Sequence, residues 1–265
     1  MPRLCFIALL LLTSWVARAA ADSSVQAGVS DGPCVASLPR AQAGTYGGYC
    51  YETVVANSSN ESAPLPLVIG LHWSGSTPTE FREVLSRMTS PARLVLVRGT
   101  QVRRAGFSFY PVEPYYYDMD ESQQRVVQLA ESERMAALAR EVSRQFRACG
   151  RLAVVGASQG GDLTYLLGLR HPDIVGLALP LLATIDRQLV PDRPARRIPI
   201  HAMHGIDDTI VPVATARRLA EAARAKGFEV ALTTFPHTGH DVTDAMKINI
   251  AAVVDAYLKS IECAS

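Results

Sequence analysis

Several things are scarce in this 265-residue chain, and each scarcity removes a class of function. It has no excess charge of either sign: 26 Lys and Arg stand against 25 Asp and Glu, a formal net of +1. That balance argues against nucleic acid or an anionic membrane surface as a partner. Its one long apolar run, Leu4 to Val16, is shorter than the roughly 20 residues a spanning helix needs. No stable membrane anchor is therefore expected. No internal repeat or low-complexity linker divides the chain, and no H-E-x-x-H motif is present. What remains is ordinary globular composition, long enough for one large domain.

The amino terminus reads as a targeting segment. Arg3 gives a positive start, Leu4 to Val16 is almost wholly apolar, and Ala17-Arg18-Ala19 and Ala19-Ala20-Ala21 both fit a cleavage site. Residues 1–21 are expected to be removed on export, which points to a periplasmic or secreted protein. Losing Arg3 and Arg18 from 26 basic residues leaves 24 against 25 acidic ones. Cys5 leaves with the segment. Cys34, Cys50, Cys149 and Cys263 remain, and an even number in an exported protein favours two disulfides. Three pairings are possible. A local clasp Cys34–Cys50 is expected. Cys149–Cys263 follows from topology, because helix ends and strand starts share the lower rim of a parallel sheet.

Residues 22–46 are small and polar and read as an irregular lead-in to a single domain over 47–265. Strands are expected at Gly47–Val55, Pro64–Leu71, Ala92–Val97, Leu152–Val155, Val175–Leu182, Ile198–Met203 and Val230–Phe235. Helices are expected at Thr79–Met88, Ser122–Arg147, Ala214–Ala225 and Asp244–Leu258, and from Gln159, where Leu163, Leu166, Leu167 and Leu169 fall at helical spacing and His171-Pro172 ends the helix. In the long helix, Val127, Ala130, Met135, Leu138, Val142 and Phe146 form one apolar stripe. This alternation predicts an α/β fold, a mostly parallel central sheet with helices on both faces. Residues 183–197, with Pro191 and Pro194, read as a loop or partial lid. The aromatic-rich insertion 99–120 has two readings: Phe107, Tyr110 and Tyr115 wall a substrate pocket, or the rings cover a sheet edge.

Within this frame, Gly156-Ala157-Ser158-Gln159-Gly160 stands between a predicted strand and a predicted helix. A G-x-S-x-G pattern there is a nucleophile-elbow signature. The turn must be tight enough to lift the Ser158 hydroxyl clear of the sheet, and the Gln159 N–H at the helix start would face a substrate oxygen. A serine hydroxyl needs a base, and the base an orienting acid. Downstream, one strand runs into His204-Gly205-Ile206-Asp207-Asp208 and another into Pro236-His237-Thr238-Gly239-His240. Only one of the adjoining Asp207 and Asp208 can meet the histidine. His237 and His240 compete as the base.

These pieces resemble the phospholipase/carboxylesterase group of α/β-hydrolases, which includes the acyl-protein thioesterases. The resemblance rests on GASQGG at 156–161, HGIDDTIVP at 204–212 and GH at 239–240, within residues 65–258. It implies the α/β-hydrolase fold, Asp208 as the acid and His240 as the base. It also implies a second oxyanion N–H, from Trp73 or Ser74, in the loop after the Pro64–Leu71 strand. One residue departs from the pattern: Trp73 follows His72 where the family usually has glycine.

The sequence thus predicts an exported serine hydrolase that cleaves carboxylic esters, or thioesters, through an acyl-enzyme. Ser158, Asp208 and His240 are the candidate catalytic residues, and the Gln159, Trp73 and Ser74 amides the candidate oxyanion donors. The expected partner is a small-molecule ester, with no cofactor and no metal. The same fold could serve a polyester depolymerase, a peptidase or an acyltransferase. A metallohydrolase using His201, His204, Asp207 or Asp208, His237 and His240 is the rival chemistry, and a silent binding protein the non-enzyme reading.

Overall fold

A computed structural model describes residues 34–263. The expected targeting segment and the first part of the lead-in lie outside the described residues. The lead-in is not irregular throughout. Its end forms strand β1 (Gln42–Tyr46), which turns through Gly47-Gly48 into β2 (Tyr49–Ala56). Both turn glycines have positive φ, 57° and 86°, as a two-residue hairpin loop requires. β1 lies at the sheet edge with most residues exposed, so no apolar alternation marked it.

The chain continues through β3 (Leu67–Leu71), helix α1 (Pro78–Val84) and β4 (Ala92–Arg98). A small hairpin follows, β5 (Gln101–Arg103) and β6 (Gly106–Ser108), and then helix α2 (Glu121–Gln145). Next come β7 (Leu152–Ala157), α3 (Gln159–Arg170) and β8 (Val175–Leu181). The last elements are β9 (Pro199–Gly205), α4 (Val213–Ala225), β10 (Glu229–Phe235) and α5 (Asp244–Lys259). The main sheet has the order β1-β2-β4-β3-β7-β8-β9-β10. β1 and β2 run antiparallel to their neighbours, and all other pairings are parallel. This is the mostly parallel α/β architecture that the alternation of strands and helices predicts.

The apolar runs of the central strands divide by alternation between two cores. Leu67, Ile69, Leu71, Val95, Val97, Leu152 and Val154 pack with residues of α2, α3 and α4 on one face. Val68, Leu94, Leu96, Ala153 and Val155 pack with residues of α1 and α5 on the other. Strands buried on both faces need no polar alternation, which explains why they read as continuous apolar segments. Helix α2 differs from its expected stripe. Met135, Leu138 and Val142 are buried, but Ala130 is exposed and Gln128, Glu131 and Ser132 are buried in its first half. Glu131 accepts a hydrogen bond from the Tyr49 hydroxyl at 2.6 Å and pairs with Arg134 at 2.7 Å. Burial raises its pKa from the usual carboxylate range.

Two disulfides tie the ends of the described chain. Cys34 bonds Cys50 on β2, with Cα atoms 5.5 Å apart. Cys149, just before β7, bonds Cys263, just after α5, with Cα atoms 5.0 Å apart. The segment 183–197 is held at several points. Asp186 pairs with Arg125 of α2 at 2.6 Å, and Lys226 donates to the Val190 carbonyl at 2.7 Å. No helix among the described residues is long and apolar enough to cross a membrane.

Candidate active site

Ser158 stands between β7 and α3 with φ 51° and ψ −117°, a strained conformation for a residue with a side chain. The sequence around it makes this possible. A Cβ on Gly156 would run into the Gly160 carbonyl and the Thr164 hydroxyl, and one on Gly160 into the Leu71 and His72 carbonyls. The two glycines therefore let α3 start directly against the ends of β3 and β7. The Ser158 N–H donates to the Leu181 carbonyl at 2.9 Å, which fixes the turn to β8.

His240 lies on the loop between β10 and α5. Its Nε2 is 3.0 Å from the Ser158 Oγ, and its Nδ1 is 2.7 Å from Asp208 Oδ2. A carboxylate can only accept, so Nδ1 carries the proton and Nε2 is free to accept from the hydroxyl. The Asp208 side chain is fully buried, on the loop between β9 and α4. Its Oδ1 accepts from the Ile210 and Val211 N–H groups at 2.9 and 2.8 Å, which holds the charge without a cation. Asp207 is exposed; its backbone N–H donates to the Thr238 carbonyl at 2.9 Å and so joins the two loops. His237 is exposed as well. The structure thus brings together Ser158, His240 and Asp208, and leaves Asp207 and His237 outside the chain of hydrogen bonds.

His204 backs the acid. It is buried, its Nε2 donates to the Val211 carbonyl at 2.7 Å, and the same atom lies 3.3 Å from Asp208 Oδ2. Burial lowers its pKa, keeping the ring neutral. His201 sits on β9, and among the described residues no group of three or more His, Cys, Asp or Glu side chains could hold a metal ion.

On the other side of Ser158, His72 organises the loop after β3. The ring is buried and stacks on Phe109 at 4.6 Å. Its Nε2 accepts from the Gly99 N–H at 3.0 Å, so Nδ1 donates to the Trp73 carbonyl at 2.7 Å. Burial pushes its pKa down to about 4. The backbone N–H groups of Gln159, Trp73 and Ser74 are not paired to backbone acceptors among the described residues. The Gln159 side chain is buried, its Oε1 accepting from the Phe109 N–H at 2.7 Å. That bond anchors the aromatic insertion on the elbow, a link nothing in the sequence pattern signalled.

Two cavities meet at Ser158. One, of about 180 Å³, is lined by Trp73, Ala157, Leu182, His240, Asp241 and Val242. The other, of about 690 Å³, is bounded by residues of α2, α3, α4, the Tyr116–Asp118 turn and the segment 184–188. The pocket walls expected from the sequence are corrected here. Phe107, Tyr110 and Tyr115 line neither cavity; Tyr116 and Tyr117 line the larger one. The insertion folds back on the sheet, so Tyr110 is wholly buried against Tyr116, and Phe107 lies beneath the Arg98 guanidinium. Tyr115 turns into a separate groove, against Arg103. A third residue of the large cavity, Asp162, follows Ser158 by one helical turn.

A serine on a strained strand–helix turn, followed in the chain by an acid and a histidine on loops leaving parallel strands, defines an esterase-type α/β-hydrolase. Residues 52–263 match the dienelactone hydrolase family, and the chain belongs to it. A stretch of 96 residues is 34% identical to acyl-protein thioesterase 1 of Gibberella zeae, covering 34% of this chain and 41% of that protein. The match thus spans less than half of that relative. Among solved structures, a carboxylesterase from Mesorhizobium loti superposes with a TM-score of 0.66 at 24% identity, over 84% of this chain and 100% of the other. The Bacillus cereus carboxylesterase gives 0.63 at 15% identity, over 78% and 94% of the two chains. At these identities the two structures speak for the fold.

Proposed function

We propose that the protein is an exported serine esterase that cleaves small carboxylic esters, or thioesters, through an acyl-enzyme. The observation that carries this reading is the unbroken chain from Ser158 Oγ to His240 at 3.0 Å and from His240 to Asp208 at 2.7 Å. Ser158 Oγ attacks the substrate carbonyl carbon as its proton passes to His240 Nε2. Asp208 holds the tautomer and steadies the imidazolium that forms. The carbonyl oxygen, now an oxyanion, takes hydrogen bonds from the Gln159 N–H, behind which the dipole of α3 points the same way, and from Trp73 or Ser74. His240 returns the proton to the leaving alcohol or thiol. Water then attacks the acyl carbon, giving a proton to the same nitrogen; that proton passes to Ser158 Oγ as the acyl–oxygen bond breaks and the acid leaves. This sequence needs no cofactor.

Export is supported by the apolar leader with its two A-x-A sites and by the two disulfides, which suit an oxidising compartment. The test is labelling of the purified protein with a fluorophosphonate probe, beside Ser158→Ala and with a chelator present. The parent should label, the variant should not, and the chelator should have no effect. Labelling that survives Ser158→Ala would sink the assignment.

A further inference from the structure

The wide cavity carries a carboxyl group that the chemistry above does not use. Asp162 lies in the first turn of α3, four residues after Ser158, its N–H donating to the Ser158 carbonyl at 2.9 Å, and both residues line one cavity. It belongs to the wall of the 690 Å³ cavity that also contains Ser158, Tyr116 and Tyr117. Among the described residues its carboxyl accepts one hydrogen bond, from the Thr184 N–H at 3.2 Å, and it forms no ion pair. Arg125 and Lys226, basic residues of the same cavity, are engaged instead with Asp186 and Asp192.

Such a residue is hard to explain as scaffolding. A desolvated carboxyl without a cation partner costs stability, and the rest of α3 is largely apolar. Desolvation raises its pKa well above the usual carboxylate range. The Tyr110 and Tyr165 hydroxyls are buried without hydrogen-bond partners among the described residues; burial raises their pKa values, and the nearby Asp162 carboxylate adds to the rise. Its carboxyl presents oxygen acceptors to the cavity, with the Thr184 N–H as its one hydrogen bond among the described residues. A cationic substrate is disfavoured, because Arg125, Arg187, Arg218 and Lys226 all line the same space. A hydroxyl, which can donate to such an oxygen without carrying a charge, is the complementary group.

We propose that Asp162 is a specificity-determining residue that hydrogen-bonds a hydroxyl on the part of the ester lying in the wide cavity. The proposal rests on the reading of Ser158 as the nucleophile. The substrate class it names is the ester of a hydroxylated alcohol or of a hydroxylated acid, and two substrate pairs separate these sources. Glyceryl butyrate against propyl butyrate places the hydroxyls on the alcohol side. Ethyl 4-hydroxybutyrate against ethyl butyrate places one on the acyl side.

For the parent protein, kcat/KM should favour the hydroxylated member of at least one pair by on the order of ten-fold, since a site built to bind a hydroxyl discriminates against the analogue lacking it. Asp162→Leu, which fills the space with a good helix former, should reduce that ratio to about two-fold or less, and Asp162→Ala should do the same. Asp162→Asn, which keeps an acceptor oxygen on a side chain of the same size, should retain most of it. Hydrolysis by the parent with no preference in either pair, or a preference that survives in Asp162→Leu, overturns the proposal and leaves the esterase reading standing. No hydrolysis of any of the four esters overturns both.

Discussion

The two spaces that meet at Ser158 are built on different principles. The narrow one, about 180 Å³, is walled mainly by Trp73, Leu182 and Val242, and on the proposed reading it would select by size. The wide one, about 690 Å³, is lined by Arg125, Arg187, Arg218, Glu121 and Asp186 and carries Asp162, Tyr116 and Tyr117, so its wall is polar and charged, and on the proposed reading it would select by hydrogen bonding. The same serine can therefore be strict about shape on one side and about polarity on the other. Apolar pockets discriminate weakly for each methylene, whereas a desolvated polar group discriminates strongly against a partner that cannot satisfy it.

The variant that erases the comparison altogether has the largest expected effect. Asp208→Asn should lower kcat on the order of 10⁴-fold for every ester, as expected when the histidine loses its correct tautomer, and so silence both sides equally. Asp207→Asn should stay within a few-fold of the parent. Steady-state rates on a p-nitrophenyl ester series check both, and a larger loss for Asp207→Asn would contradict the geometry. Next in size is a change that weakens the fold and leaves the comparison intact. Replacing Cys149 and Cys263 together by serine removes a link across 114 residues at the rim of the sheet opposite the site. Urea unfolding should show a loss of up to about 4 kcal/mol. The profile of rate against acyl-chain length should be unchanged.

His72 joins stability to the narrow side. Its folded pKa, about 4, lies below the ordinary histidine value of about 6.5, so as pH falls the unfolded chain takes up this proton first. The stabilisation is complete above about pH 6.5 and fades down to about pH 4, by about 3 kcal/mol over the whole window. His72→Gln should flatten the slope of unfolding free energy against pH in that interval; an unchanged slope would remove His72 as its source. The smallest effect sharpens the comparison most. Trp73→Ala should enlarge the narrow cavity alone and move the preferred acyl chain to greater length, by about ten-fold in relative kcat/KM. A matching shift in the preference for hydroxylated substrates would show that the two spaces are not independent.

How much of this was legible beforehand depended on the kind of signal. The central strands announced themselves because burial on both faces demands continuous apolar runs. The elbow announced itself because its two glycines are needed for close approach. Asp208 and His240 followed from their position after strands and from family resemblance, though only the structure shows Asp207 facing solvent. The aromatic insertion was a different matter. It has no periodicity, and its fold depends on a distant partner, Gln159, so its sequence could not say that Tyr116 and Tyr117, and not Phe107, Tyr110 and Tyr115, reach the cavity. β1 was hidden for the opposite reason, since an exposed edge strand is specified by its turn more than by apolar alternation. Asp162 was in plain view within the elbow helix, but a single acidic residue in the first turn of a helix is ordinary until its surroundings are known.

The anchoring of residues 183–197 bears on kinetics. With Asp186 bound to Arg125, and the Val190 and Leu189 carbonyls held by Lys226 and Arg170, the segment beside the wide space is pinned to α2, α3 and the end of α4. A segment pinned in this way gives catalysis no slow opening step. Turnover should then show neither a lag after mixing nor an abrupt rise where a substrate begins to form droplets, and its speed should be set by acyl transfer itself.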